Sequence, residues 1–175
     1  MHKARLPFIK TLEAFDFSFQ PSLGEKEILK LSSLDFIEKK ENLIFLGPPG
    51  VGKTHLATAL GIKACSAKYR VLFITAQKLI EDLMLSVKDG TITSTLLAYS
   101  RLNLLIINEL GYMPITKEQA NLLFQLVSVR ENWGQVFQDN VVAAAIIDRI
   151  VHNARIFFIN GSSYRLKSKL EKKKN

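Results

Sequence analysis

The stretch NLIFLGPPGVGKTHLATALG, residues 42–61, decides the fold of this chain. Within it, Gly47, Gly52, Lys53 and Thr54 satisfy the spacing G-x-x-x-x-G-K-[ST], after a strand-like run and before a helical pattern. Glycines let such a loop curl so that its N–H groups point at phosphate oxygens, and the following helix adds its positive end. A chance glycine-rich turn is the alternative, and the order of strand, loop and helix argues against it.

Two side chains of this loop carry specific chemistry. Lys53 is expected to bridge the β- and γ-phosphates of a nucleoside triphosphate, and Thr54 to offer its hydroxyl to Mg²⁺. The sequence therefore predicts a site for a magnesium nucleotide at the end of the strand Asn42 to Leu46.

The chain that follows alternates between helical and strand-like patterns. Helices are predicted for residues 54–69, 78–88 and 94–101, and strands for residues 70–75 and 102–107. This order predicts an α/β fold with three layers and a mainly parallel sheet. The helix 78–88 should turn Ile80, Leu83, Met84 and Val87 inward, and the strand 102–107 should be buried on both faces.

Two segments precede the loop. Residues 1–24 contain four phenylalanines without helical spacing and are predicted to form an extended arm packed on a domain of residues 25–175. Within that domain, residues 25–39 fit one helix with Ile28, Leu31, Leu34 and Ile37 inward. The domain ends in the basic tail RLKSKLEKKKN, which is predicted to be solvated, with non-specific phosphate contact as the alternative.

The composition limits the class of protein. A chain of 175 residues with 47% hydrophobic content can bury the core of one domain. The net charge of +8 favours nucleic acid as a partner, because each cation that neutralises a phosphate releases a counterion; a mildly basic protein without such a partner is the alternative. A single cysteine, Cys65, excludes an intramolecular disulfide, and no apolar stretch reaches about 18 residues, so a cytoplasmic protein without membrane contact is predicted.

The second site segment is LLIINELGYMP, residues 104–114. At the carboxyl edge of a parallel sheet, an aspartate is expected to support Mg²⁺ and a following acid to polarise the attacking water. Asn108 occupies the first position and Glu109 the second. An amide still accepts a hydrogen bond from a metal-bound water, so Mg²⁺ binding at Asn108 should weaken without vanishing. Nucleotide binding should survive this change better than hydrolysis.

Two helices then follow each other without a strand between them. Thr116 and Gln119 form a predicted capping box for a helix with Leu122, Leu123, Leu126 and Val127 inward. A second helical pattern, VVAAAIIDRIVHNA, precedes the strand RIFFIN. Because each helix of a βαβ unit normally returns the chain to a parallel strand, a strand is missing here; an ordinary helix–helix excursion is the alternative.

These residues together resemble the IstB-type ATP-binding helper proteins that transposons encode beside their transposase, which are similar to the DnaC helicase loaders of the AAA+ superfamily. The resemblance rests on the segments LEAFDFSFQPS, NLIFLGPPGVGKTHLATALG, LLIINELGYMP, WGQVFQDNVVAAAIIDRIVHN and GSSYRLK. It covers almost the whole chain and predicts an AAA+-like core.

The resemblance implies an ATPase, with ATP and Mg²⁺ as cofactors, that assembles as an ATP-dependent homo-oligomer on DNA and recruits or activates a cognate transposase. It carries the role of catalytic acid to Glu109 and that of an arginine finger, reaching a neighbouring subunit, to Arg149. A solvated helix arginine is the alternative for Arg149. Arg165 is a candidate contact to phosphate or DNA, and a surface charge is the favoured interpretation for it. The implied nucleotide-binding residues are Gly47, Pro48, Pro49, Gly50, Val51, Gly52, Lys53, Thr54 and His55, and the implied metal-binding residues are Thr54 and Asn108. His55 directly follows the loop, and a helix-face position is its alternative.

This sequence departs from the family pattern in three places. The family has aspartate at Asn108, a strand ending in a Thr-Asn sensor between LVSVR and ENWGQVF, and a DNA-binding region before LPFIKTLEAFDF. We therefore expect a truncated and internally deleted copy without the sensor strand. A catalytically inactive nucleotide-binding relic or interaction module is the alternative function, and a helicase-loader-like replication protein is a further one.

Overall fold

The computed structural model describes residues 2–110, 115–131, 150–161 and 163–164. The helices are α1 (Glu25–Lys30), α2 (Asp35–Glu38), α3 (Lys53–Ser66), α4 (Ala76–Lys88), α5 (Ile92–Ser100) and α6 (Lys117–Glu131). The strands are β1 (Asn42–Leu46), β2 (Val71–Thr75), β3 (Leu104–Asn108) and β4 (Ala154–Phe158). Short 3-10 helices lie at His2–Ala4, Phe17–Phe19 and Leu31–Ser33.

The strands form two separate parallel pairs. β1 pairs with β4, from Asn42 beside Ala154 to Leu46 beside Phe158. β2 pairs with β3, and Thr75 lies beside Asn108 at the carboxyl end. Among the described residues, no strand bridges β1 and β3. The prediction of an α/β fold with parallel strands is confirmed, and the sheet is divided where two successive helices indicated a missing strand.

Two hydrophobic clusters hold these halves. The first joins the N-terminal arm, α1, α2 and α3 to the inner face of the β1–β4 pair, where the rings of Phe45 and Phe157 stack with centroids 5.3 Å apart. The second joins α4, α5 and α6 to the β2–β3 pair and includes Leu79, Leu83 and Leu126. The first cluster also includes Val71 of β2 and has Leu104 and Ile106 of β3 packed against it, so it connects the two pairs.

The helix predicted for residues 25–39 is wrong as a single element. It breaks at Leu34, whose φ of +66° is left-handed. The hydroxyls of Ser32 and Ser33 donate to the carbonyls of Leu29 and Lys30 at 2.6 and 2.9 Å, which competes with helix continuation. The turn still keeps Leu34 buried in the first cluster.

The inward face predicted for helix 78–88 is partly wrong. Ile80 and Leu83 are buried and Met84 is half-buried, but Val87 is 43% exposed. Ser86 is buried instead, because its hydroxyl donates to the carbonyl of Leu83 at 2.7 Å and needs no partner outside the helix. The hydrophobic period misses this position because it assigns inward places to apolar residues alone.

The strand 102–107 was predicted to be buried on both faces, and this too is wrong. All five residues of β3, Leu104 to Asn108, are only partly buried. β2 by contrast buries Val71, Phe73 and Ile74. A strand beside an open edge keeps part of its surface accessible, so the exposure of β3 follows from the division of the sheet.

The predicted capping box at the start of α6 is present. The Thr116 N–H donates to the Gln119 side chain at 3.0 Å, and the Gln119 N–H donates to the Thr116 hydroxyl at 3.3 Å. Leu122, Leu123 and Leu126 are buried, as predicted.

The N-terminal arm is folded back in a turn where an extended chain was predicted. Asp16 accepts a hydrogen bond from the Phe19 N–H at 3.2 Å and closes the 3-10 helix Phe17–Phe19. Leu12 and Phe15 are buried in the first cluster. In the described part of the chain, no helix is long and apolar enough to cross a membrane.

Candidate nucleotide-binding site

The loop between β1 and α3 requires glycine at three positions. Gly47, Gly50 and Gly52 have φ angles of +153°, +84° and +103°. A Cβ atom at Gly52 would lie 2.6 Å from a ring carbon of Phe15, and one at Gly47 would collide with the carbonyl oxygen of Ile159. Backbone conformation and close packing therefore both exclude side chains here.

The rest of the loop is anchored from within and from the side. Val51 is 1% exposed and belongs to the first cluster. The Tyr164 N–H donates to the carbonyl of Gly50 at 3.0 Å, and the Tyr164 ring packs edge-on against Phe19 with centroids 5.4 Å apart. Pro48 and Pro49 are exposed at the tip. The loop thus has a fixed base and an accessible rim.

Lys53 begins α3 and folds over its own loop. Its Nζ donates to the carbonyl oxygens of Gly47 and Pro48, each at 2.7 Å. Carbonyl oxygens are weaker partners for an ammonium group than phosphate oxygens are. The Lys53 side chain is therefore placed to exchange these contacts for a bound phosphate.

Thr54 and Asn108 meet across the two halves of the sheet. The Thr54 hydroxyl donates to the Asn108 Oδ1 at 3.2 Å. Both side chains are partly buried, one at the start of α3 and the other at the end of β3. Two oxygen-bearing side chains thus meet in front of the loop, and oxygen is the ligand that Mg²⁺ prefers.

Glu109 follows Asn108 directly and is exposed. Its φ of +65° is left-handed, a conformation uncommon for a residue with a Cβ atom. Strain of this kind costs of the order of 1–3 kcal/mol and is maintained by the surrounding structure. The backbone turns sharply here, which places the Glu109 carboxylate beyond the end of β3.

The structure brings His55 to the N-terminal arm. The His55 Nε2 lies 2.8 Å from the carbonyl oxygen of Thr11, and its ring packs edge-on against Phe15 with centroids 5.2 Å apart. Burial lowers the pKa of His55 below its ordinary value, while the contact with the Thr11 carbonyl opposes that shift. His55 therefore joins arm and helix in a mainly neutral form.

Two residues predicted from the resemblance, Arg149 and Arg165, lie outside the described residues. Two others escaped the sequence interpretation. Phe15 packs on Gly52, and Arg130 donates through Nη1 to the carbonyls of Tyr99 and Leu102 at 2.6 and 3.1 Å. Burial lowers the pKa of Arg130. A basic residue in the last turn of a helix is a common pattern, so the sequence does not indicate that Arg130 bonds to these carbonyls.

The family described as IstB-like ATP binding protein matches residues 1–172. The chain belongs to this family.

Relatives of this IstB-like chain are named for insertion sequences. It is 44% identical to the insertion sequence IS21 putative ATP-binding protein of Pseudomonas aeruginosa, over 97% of this chain and 69% of that protein. It is 42% identical to the insertion sequence IS232 putative ATP-binding protein of Bacillus thuringiensis subsp. berliner, over 95% of this chain and 72% of that protein. The first alignment spans 183 positions, more than the 175 residues of this chain, so it contains positions that this chain lacks.

Solved structures confirm the AAA+-like fold. AMPPCP-bound DnaA from Aquifex aeolicus superposes with a TM-score of 0.70 at 20% identity, over 97% of this chain, which spans only 56% of that chain. The DnaC helicase loader superposes with a TM-score of 0.64 at 22% identity, over 78% of this chain and 88% of that chain. The fold class predicted from the order of strands and helices is thus shared with both.

Proposed function

We propose that this IstB-like chain binds ATP and Mg²⁺ at the loop between β1 and α3 and acts as a helper of DNA transposition. The observation that carries the proposal is the 3.2 Å contact between Thr54 and Asn108, directly in front of the glycine loop. It brings the proposed metal-binding hydroxyl of Thr54 and the end of β3 together although β1 and β3 are not paired in the described part of the chain.

The residues present fit a magnesium nucleotide. The glycine loop leaves backbone N–H groups unobstructed by side chains, and Lys53 supplies a cation at its base. Thr54 and Asn108 would hold Mg²⁺ directly or through water, and Mg²⁺ when bound neutralises phosphate charge. Because Asn108 is a neutral amide, we expect weaker metal affinity than an aspartate would give.

Hydrolysis is expected to be slow. Glu109 is the proposed acid that orients water, and it depends on a well-placed triphosphate and metal before it contributes. The weaker metal site at Asn108 and the divided sheet should both make the positions of the triphosphate and the metal less exact. We therefore propose that ATP binding exceeds ATP turnover in importance for this chain.

DNA and the cognate transposase are the proposed macromolecular partners. The net charge of +8 favours contact with the phosphate backbone, and the relatives named above belong to insertion sequences. An ATP-dependent homo-oligomer, with Arg149 reaching a neighbouring site, completes the proposal.

A second candidate function is a nucleotide-binding module that does not turn over ATP. Asn108 and the division between the β1–β4 and β2–β3 pairs favour it specifically. Such a module would bind ATP and a partner without hydrolysis. A replication protein similar to a helicase loader is a further candidate, and the shared fold is its only support.

Phosphate release and DNA binding distinguish these candidates. We would measure both for the wild-type chain and for Glu109→Gln, with MgATP, at two salt concentrations. A transposition helper should bind duplex DNA more tightly with MgATP, lose that affinity steeply with salt, and release phosphate slowly in a Glu109-dependent manner. Phosphate release by the wild-type chain that is no faster than release by Glu109→Gln, together with DNA binding that ATP does not change, would favour the module that does not turn over ATP.

A further inference from the structure

Residues 7–11 of the N-terminal arm form an exposed loop, the arm loop, between two anchored positions. Leu6, before the loop, packs against the first cluster, and Leu12, after it, is buried in the same cluster. Every residue from 7 to 11 is exposed. The His55 Nε2 lies 2.8 Å from the carbonyl oxygen of Thr11, which ties the end of the loop to α3. The arm loop is therefore an exposed segment on a fixed base.

The arm loop exposes consecutive apolar side chains. In the described part of the chain, no large apolar side chain is more exposed than Ile9, at 79%, and Phe8 beside it is 36% exposed. Pro7 precedes them and is exposed as well. Single apolar residues are common on protein surfaces, but three in succession on an anchored loop form a patch of the kind that a partner covers.

Cations flank this apolar patch. Lys3, Arg5 and Lys10 are all exposed. The Lys10 Nζ lies 5.5 Å from the centre of the Phe8 ring, and this cation–π contact keeps the ammonium group beside the patch. Residues 1–12 include no acidic residue. Such a segment attracts a polyanion, so its charge favours nucleic acid over a protein surface as the partner.

The backbone of the arm loop indicates which groove of DNA it fits. Residues 7–11 form neither helix nor strand. The major groove is typically read by a helix or a two-stranded ribbon, whereas extended arms with basic side chains enter the narrower minor groove. Proteins that bind the minor groove often insert Phe, Ile or Pro between base steps and unstack them. The sequence Pro7-Phe8-Ile9 supplies these residue types.

We propose that the arm loop enters the minor groove of duplex DNA and inserts the Ile9 side chain between neighbouring base pairs, with Lys10 on a flanking phosphate. This inference rests on the proposed DNA binding and names a segment that carries it out. Covering Ile9 removes apolar surface from water, which offsets part of the cost of unstacking a base step. The fixed base of the loop limits the conformational freedom that is lost on binding.

Fluorescence of 2-aminopurine tests the insertion, because this adenine analogue becomes brighter when it is unstacked. The probe is an A·T-rich duplex with 2-aminopurine at several adenine positions, titrated with the full chain in the presence of MgATP. We expect the wild-type chain to raise the fluorescence, and Ile9→Ala to abolish the rise and weaken binding about tenfold. Leu85→Ala is the matched control, since Leu85 is an apolar residue of α4 that is 57% exposed, and it should behave as the wild-type chain does.

The charge of Lys10 is tested separately. Lys10→Gln should keep the rise in fluorescence at saturation, because Ile9 is unchanged. It should reduce the slope of the logarithm of the binding constant against the logarithm of the salt concentration by about 0.9, the value for one lost phosphate contact. An unchanged salt slope would contradict the phosphate contact of Lys10.

The same titration separates this inference from the DNA binding on which it rests. Salt-dependent binding without a rise in fluorescence, or with the same rise for Ile9→Ala, would overturn the insertion and leave DNA binding intact. No binding of the duplex at any salt concentration would overturn both. Sedimentation velocity without DNA covers the remaining partner: a loss of self-association in Ile9→Ala, with DNA binding equal to that of the wild-type chain, would overturn the inference by assigning the patch to a second copy.

Discussion

The two halves of the sheet differ in how completely they are built. The β1–β4 half carries the glycine loop, and its loop is held by the arm through Phe15 and by the segment ending at Tyr164. The β2–β3 half carries Asn108 and Glu109, and β3 is only partly buried along its whole length. We propose that the first half supplies the groups that bind phosphate, while the second supplies a weakened version of the groups that hydrolysis requires.

The halves meet through the pair Thr54 and Asn108. In a continuous parallel sheet, backbone hydrogen bonds would fix the spacing of the loop strand and the acid-bearing strand. Here one side-chain hydrogen bond and the packing beneath α3 maintain it. A net hydrogen bond contributes about 1 kcal/mol, so the packing of both strand pairs against the first cluster contributes most of this joint.

The largest expected effect comes from the loop half. Gly52→Ala places a Cβ atom in a left-handed backbone position and 2.6 Å from the Phe15 ring, which should lower the free energy of unfolding by about 2–5 kcal/mol. Gly90→Ala is the matched control, because Gly90 also has positive φ but has open space around it, and it should cost about 1–2 kcal/mol. Urea denaturation measures both. Equal losses of unfolding free energy for Gly52→Ala and Gly90→Ala would show that the Phe15 ring does not restrict the side chain at position 52.

The next effect belongs to the β2–β3 half. Arg130→Leu removes the donor to the carbonyls of Tyr99 and Leu102 and should lower the free energy of unfolding by about 2 kcal/mol. Arg101→Leu alters an exposed arginine and should change it by less than about 0.5 kcal/mol. The same urea measurement applies. A small Arg130 effect would indicate that β3 is held mainly by the second hydrophobic cluster.

The third prediction concerns the contact between Thr54 and Asn108. Asn108→Asp restores a carboxylate beside Thr54 and should strengthen Mg²⁺-dependent nucleotide affinity about tenfold, whereas Asn108→Ala should weaken it. Titration with a fluorescent ATP analogue, with Mg²⁺ and with EDTA, separates the metal-dependent part. Equal affinity of all three proteins would remove Asn108 from the metal site.

The smallest effect concerns the arm on the loop half. Because burial lowers the pKa of His55, protonation favours the unfolded chain, and stability should fall as pH drops below about 6.5 toward the folded-state pKa. His55→Gln should reduce this acid sensitivity and leave stability at pH 8 nearly unchanged. Thermal unfolding between pH 5 and 8 provides the measurement, with His152→Gln as control. An unchanged pH profile for His55→Gln would contradict the role of the neutral ring.

The sequence predicted those parts of the molecule that depend on local pattern. The strand Asn42 to Leu46, the loop, and the capping box at Thr116 follow from spacing within a few residues, and all three are present. The divided sheet was also predictable, since two helices without a strand break βαβ alternation.

Other features depend on side-chain hydrogen bonds, some of them between distant residues, and could not be predicted from the hydrophobic pattern. The break at Leu34 depends on hydroxyl bonds within a helical pattern, and the contact of His55 with Thr11 joins segments 44 residues apart. Arg130 bonds to carbonyls about 30 residues away in sequence. Hydrophobic periodicity carries no information on any of these partners.

Thermal unfolding with and without MgATP tests the central claim, that the loop half binds nucleotide although the sheet is divided. We predict one cooperative transition that rises by roughly 5–10 °C at a hundredfold excess of ATP over its Kd. Lys53→Ala should lose that rise, and Lys63→Ala, an exposed position on the same helix, should keep it. A cooperative transition that ATP does not shift in the wild-type chain would contradict the account.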